Sequence, residues 1–558
     1  MYPDTADRFA PRLGAAWVQY TTWAIILIGV GLRVWQYSAG TSLWLDELAV
    51  AQNVVSRPLG ELLSSPLAWD QVAPKGFLLA EKAAVLLLGA NEWGLRFFPF
   101  LCSVAALILF VPVAERVLGR AAPIAVAMFA TAGPLIDYAA RVKQYSTDVA
   151  AAVLLLWVAL EVLRRKKLSR EVHVAGIIGA IAVWFSQSAI LVLAGLGSAL
   201  LVIAWRNRDG GSKSWIWPLL LWWGGSAAIA SAASFASVSA GTRQSLLTTY
   251  DLWKLGVPPD SLTQAIQSLW PLHRLTALLA RGGQSSLAYP LAPLYLLLAV
   301  CGGCILFRRN WPVGLLIFAP FFAALAVAVV RLYPFSDRLI LFLLPGIFLG
   351  TAATIDLVRV HVSRQSFYAG FATALLLTIP AVFPVIRQPP PYRIDDVKPA
   401  LSYLQKHHLA GDGIYVFYNA VPAMSFYAPK FGFETKDYTA GGCHRGETRS
   451  YLIELDRLRG QRRVWVLILA AHTGARLHGN ILRYSDTIGR QLDYFAAPSR
   501  TINGLGSPAS LYLYDFSDIQ RLNAISAATF QVDRQEDVIS CDIGPIAMSR
   551  IRNFGDHE

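Results

Sequence analysis

The chain has 558 residues, 55% of them hydrophobic and only 15% charged, with 17 Trp, a balance that excludes an ordinary soluble globular protein. The formal net charge of +13 lies in short basic clusters between apolar runs, as in loops that hold a membrane topology, and this distribution argues against nucleic-acid binding.

Apolar runs of about 17 to 23 residues, each long enough to cross a bilayer, predict spans at 15–37, 97–115, 121–137, 146–163, 172–185, 189–205, 215–236, 291–307, 311–330, 339–355 and 367–386. Within 172–205 the alternative is one long bent helix. Small residues follow the first span (Ser38, Ala39, Gly40), which permits signal-peptide cleavage, but a run of about 20 apolar residues favours an uncleaved anchor. The segment "PKGFLLAEKAAVLLLG", 74–89, is interrupted by Glu81 and Lys82. It keeps about 13 apolar residues in sequence, too few to cross, and is expected to lie in the interface.

With the N-terminus inside, the inside loops carry Arg116 and Arg120, Arg164 to Lys167, Arg206, Arg208 and Lys213, Arg308 and Arg309, and Arg359 and Arg364, as the positive-inside rule requires. Were 74–89 to cross, every later cluster would face outward. Residues 1–386 are therefore expected to form a membrane domain of about eleven helices.

Residues 387–558 open with the Pro-rich "RQPPPYRIDD" and continue as a helix (395–408), a strand (411–418), a helix (421–428), the buried-strand run "RVWVLILAA" (463–471) and the strand "SLYLYDF" (510–516). This alternation predicts a small α/β domain outside the cytoplasm. Cys443 and Cys541 both fall there, in a compartment that permits a disulfide between them. No Walker motif, dinucleotide fingerprint, Cys/His metal spacing or internal repeat is present.

Ionisable residues collect at the outer ends of the spans. Asp46 and Glu47 stand in "SLWLDELAVAQN" after the first span; "YAARVKQYSTD" brings Tyr138, Arg141, Lys143, Tyr145 and Asp148; "RLYPFSDR" brings Arg331, Tyr333, Asp337 and Arg338; and Arg96 opens the second span. Charges at membrane depth are functional-site hypotheses by default. Cations there suit a lipid-linked phosphate, and a nearby carboxylate can take a proton from a hydroxyl. The bland alternatives are an acidic pair serving a helix N-terminus, snorkelling Arg141, Lys143 and Arg338, and ion pairs for Asp148 and Asp337.

An acidic pair, the interfacial "APKGFLL", "NEWGLRFFPFL", the Tyr138-to-Tyr145 turn with Lys143 two before the second Tyr, and the late "YPFSDRLILFLLP" follow one another over residues 15–386. In that order they resemble GT-C membrane glycosyltransferases of the protein O-mannosyltransferase and lipid A aminoarabinose transferase type. The turn departs from the usual pattern in carrying Ala140 and Lys143 with Arg141 between, and its "KQYSTD" form suggests a bacterial branch.

The resemblance implies a mostly α, polytopic GT-C fold in a bacterial inner membrane, with the C-terminal α/β domain periplasmic. It implies inverting transfer of a sugar from a polyprenyl monophosphate to a hydroxyl of a glycan, lipid or protein. Asp46 is the expected base with Glu47 beside it; Lys143, Tyr145, Arg338 and Arg141 are the expected phosphate ligands; Asp148, Tyr138, Arg331 and Asp337 are support. Neither a nucleotide nor a metal is required, although Asp46 and Glu47 could hold Mg²⁺ or Mn²⁺. The rival reading is a transporter or flippase of a lipid-linked or anionic substrate, which the one-sided gathering of charge disfavours.

Overall fold

The computed structural model describes residues 15–69, 71–165, 170–206, 215–239, 269–280, 288–444, 448–469, 489–497 and 509–518. Its helices are α1 (Ala15–Ser38), α2 (Leu45–Ser56), α3 (Lys75–Leu88), α4 (Glu92–Leu118), α5 (Ala122–Thr131), α6 (Tyr145–Arg165), α7 (Arg170–Phe185), α8 (Ser188–Arg206), α9 (Ile216–Ala236), α10 (Trp270–Ala280), α11 (Ala288–Arg309), α12 (Trp311–Val329), α13 (Leu344–Ser363), α14 (Phe367–Arg387), α15 (Val397–His407), α16 (Val421–Tyr427) and α17 (Thr448–Asp456). The strands are β1 (Gly413–Val416), β2 (Thr439–Ala440), β3 (Val464–Leu469), β4 (Arg490–Ala496) and β5 (Ala509–Asp515).

Two compact units divide the chain; the second takes Gly40–Gln71 together with the residues from Pro391 onward. The first unit is helical. Among the described residues nine helical stretches are long and apolar enough to cross a membrane, Glu92–Thr131 being one stretch of 40 residues. All eleven runs read from the sequence are helical over most of their length, 121–137 with an interruption at Ala132, so the protein is mostly α and multi-spanning. The difference lies in α4 and α5, joined through a turn at Gly119 whose φ is +57°, and in α7, only 16 residues long. At Ser186 and Gln187 the helix is interrupted, so 172–205 is two helices and not one bent one. The 14-residue α3 is too short to span.

Local chemistry sets these ends. The Asn91 side chain accepts the Trp93 and Gly94 N–H groups at 3.0 and 2.9 Å and caps α4. Arg33, buried in α1, donates to Ser103 Oγ and to the Gly29, Ala130 and Phe129 carbonyls at 2.9–3.3 Å. Those bonds satisfy a cation that hydrocarbon would otherwise exclude.

In the second unit a five-stranded sheet runs in the order β2-β1-β3-β5-β4. β1 is parallel to β2 and β3, and β5 is antiparallel to β3 and β4. The six residues of β3 are all buried, as expected of a near-continuous apolar strand in mid-sheet. β4 and the two-residue β2 had no counterpart among the strands read from the sequence. Cys443 is disulfide-bonded, whereas Cys541 lies outside the described residues.

Candidate active site

The first unit supplies the basic and aromatic residues. Gly133–Asp137 and Tyr138–Ala140 form two short helical turns, after which Arg141 is extended and α6 restarts at Tyr145. This break turns Arg141, Lys143 and Tyr145 inward, and all three are buried. The Arg141 guanidinium donates twice to Asp137 Oδ1, at 2.9 and 2.7 Å, so much of its charge is already matched within the protein.

Tyr138 and Tyr145 meet edge to face with centroids 5.1 Å apart, and Arg338 places its guanidinium carbon 5.6 Å from the Tyr145 ring centre, a cation–π arrangement. The Ser146 hydroxyl donates to the Tyr138 carbonyl at 2.6 Å. Tyr138, Tyr145 and Ser146 help line a small cleft. Asp148 lies one turn further and accepts from the Ser186 hydroxyl at 2.5 Å, tying α6 to the turn between α7 and α8. Arg331 is exposed, and both it and Asp337 take left-handed backbone conformations, at φ +59° and +50°. Two such residues bracketing the turn before Arg338 mark strain.

The acid pair belongs to the second unit. Glu47 is fully buried, and its Oε2 accepts the Trp44 N–H at 3.3 Å, the reach-back half of a capping box. Asp46 is half-buried. Among the described residues no group of three or more His, Cys, Asp or Glu side chains is placed to hold a metal ion.

Sequence reasoning missed Asp137, although its i,i+4 spacing to Arg141 was available. It also missed Arg33, a lone arginine inside a long apolar run. Asp396, which accepts from Ser42 just ahead of α2, left no local signal.

A family model for dolichyl-phosphate-mannose-protein mannosyltransferases matches residues 73–223, less than half of the chain. No curated protein matches. Among solved structures the chain is similar to the Archaeoglobus fulgidus oligosaccharyltransferase in complex with Zn and sulfate, at 13% identity and a TM-score of 0.46 over 90% of this chain and 73% of that one. It is also similar to ArnT from Cupriavidus metallidurans bound to undecaprenyl phosphate, at 12% identity and a TM-score of 0.46 over 90% and 98%. To the arabinosyltransferase EmbB from Mycobacterium smegmatis the likeness is 12% identity and a TM-score of 0.36 over 69% and 43%. At those identities and scores the likenesses carry no chemistry. Over residues 73–223, which include Arg141, Lys143 and Tyr145, the resemblance read from the sequence is matched by the mannosyltransferase family model.

Proposed function

We propose that the protein is an inner-membrane glycosyltransferase that moves a sugar from a polyprenyl monophosphate to a hydroxyl of an extracytoplasmic glycan, lipid or protein, with inversion at the anomeric carbon. The observation that carries this reading is that the segment matching the mannosyltransferase family is the one supplying buried Lys143 and Tyr145. The first unit also holds a mainly apolar cleft, with Phe348, Tyr295 and Pro380 among its walls, whose character suits an isoprenoid chain.

In the proposed reaction the acceptor oxygen gives its proton to Asp46 and attacks the anomeric carbon. The bond from that carbon to the phosphate oxygen breaks, and the polyprenyl phosphate leaves as an anion. Lys143, Arg338 and the Tyr145 hydroxyl stabilise the charge that grows on it. Asp46 and Glu47 are consecutive in a helix, so their side chains leave the axis about 100° apart, and Glu47 already serves the Trp44 N–H. The mechanism therefore assigns neither of them to a metal.

The deciding experiment incubates purified protein with a polyprenyl monophosphate carrying a radiolabelled sugar, together with an envelope extract as acceptor. Transfer of label with release of polyprenyl phosphate is expected. Movement of intact sugar-lipid across proteoliposomes without release would establish the transporter instead. Lys143→Ala and Arg338→Ala should weaken donor binding, since each removes a cation from a phosphate.

A further inference from the structure

The chain just ahead of α2 is held by residues some 350 positions away. Asp396 Oδ1 accepts the Ser42 backbone N–H at 3.0 Å and the Ser42 hydroxyl at 2.5 Å, while its Oδ2 accepts from Arg393 at 2.9 Å. Ser42 Oγ accepts in turn from the Lys398 N–H in α15 at 3.1 Å. The Leu43 N–H donates to the Tyr427 hydroxyl at 2.8 Å, and the Lys398 ammonium reaches the Gly40 carbonyl. Ser42, Asp396 and Tyr427 are buried.

A buried carboxylate stays only where several donors meet it. Such a group fixes geometry more than it adds net stability. Here Asp396 grips Ser42, and the Tyr427 hydroxyl grips the next residue, Leu43. The helix begins directly after them: Trp44 is the N-cap of α2, and Asp46 stands in its first turn. Any slip of Ser42 is therefore passed directly to Asp46.

We propose that Asp396 is a positioning residue for glycosyl transfer: it sets where α2 begins and so where Asp46 points, which makes the segment after residue 390 a working part of the transferase. This rests on the reading of Asp46 as base.

The test uses the full-length protein in detergent. Amide hydrogen exchange over residues 42–50 is measured for wild type, Asp396→Ala and Ser42→Ala, alongside kcat and donor KM. Both variants should exchange faster there. Asp396→Ala should lose roughly 10- to 100-fold in kcat with donor KM unchanged, the scale of a reacting group displaced by about 1 Å. Ser42→Ala, which leaves Asp396 its Arg393 partner, should lose less and guards against a misfolded first variant. Placed on Asp46→Asn, Asp396→Ala should cost nothing further, because it acts through the side chain already removed.

Unchanged exchange at 42–50 in both variants would overturn the clamp whatever the kinetics. Faster exchange with wild-type kcat, or a rise in KM alone, would overturn the positioning role. Wild-type turnover by Asp46→Asn would instead sink the base assignment, and is told apart because the exchange result does not depend on it.

Discussion

At the scale of single residues, the two acids of "SLWLDELAVAQN" part company. Glu47 is enclosed and serves the backbone of its own helix, whereas Asp46 keeps a half-exposed carboxylate. Asp46→Asn keeps size but cannot take a proton, so turnover should fall by roughly 10²–10⁴-fold with donor affinity near wild type. Glu47→Gln retains an oxygen that can accept the Trp44 N–H and should lose far less; equal losses in steady-state transfer assays would contradict the division of roles. A second carboxylate carries a pH prediction. Burial alone would raise the pKa of Asp412, but bonds from Arg463 at 2.8 Å, the Leu409 N–H at 3.1 Å and the Trp465 indole at 2.9 Å outweigh it, and the net shift is downward. A depressed carboxylate pKa contributes stability above its unfolded value, about 4, and that contribution is lost as pH falls through the folded value. The thermal midpoint of the full-length protein should therefore drop below about pH 4, and Asp412→Asn should flatten that drop. The candidate site was legible wherever a charge sat beside an apolar run, as for Asp46, Lys143 and Arg338. The partners Ser186 and Asp396 were not, because ordinary polar residues acquire meaning only when the fold brings them to a charge; Asp137 was missed although its spacing to Arg141 offered a local signal.

At the scale of elements, contiguous patterns were the readable ones. The run at 463–471 is β3, Val464–Leu469, and the stretch at 395–408 is α15, Val397–His407. β4, "RQLDYFA", is an edge strand with mixed exposure and offers neither an apolar run nor clean alternation. How the membrane helices pack could not be read at all, since small residues announce no partner. α11 and α13 cross so closely that a Cβ on Gly350 would sit 2.6 Å from the Ala299 carbonyl oxygen, and one on Gly302 would meet the Gly350 backbone. Thr354 in α13 donates to the Leu298 carbonyl at 2.7 Å, and Thr351 to that of Tyr295 at 3.3 Å. Close approach over small residues with hydroxyl bonds to carbonyls is how helices associate without a hydrophobic drive. Gly302→Val should cost about 1–3 kcal/mol through overpacking, seen as a lower unfolding midpoint in detergent. Gly31, with open space at its Cβ position, should tolerate Ala, and an equal loss there would rule out the crossing as the cause.

At the scale of the molecule, one hydrogen bond constrains the topology. Ser42 follows α1, Asp396 follows α14, and the two are bonded within one compact unit. Both must lie on the same side of the bilayer, so the chain crosses an even number of times between them. The stretch Glu92–Thr131 turns at Gly119 into α4, whose 27 residues extend about 40 Å, and α5, whose 10 residues extend about 15 Å and cross only together with the helical turns Gly133–Asp137 and Tyr138–Ala140 that continue it. Counted as two crossings, that stretch makes the number after α1 odd unless one more helix crosses. Among the described residues the remaining candidate is α7, whose 16 residues reach about 24 Å, short enough to need local thinning of the bilayer. Its crossing restores eleven spans and leaves Arg206 and Arg308 inside, as the basic clusters require. A reporter active only outside the cytoplasm should thus be silent after residue 166, silent after residue 212 and active after residue 386. If α7 stays on one face, the fusion at 212 becomes active and the one at 386 falls silent. That pair of results would reverse the sidedness of the C-terminal segment and contradict the bond between Ser42 and Asp396.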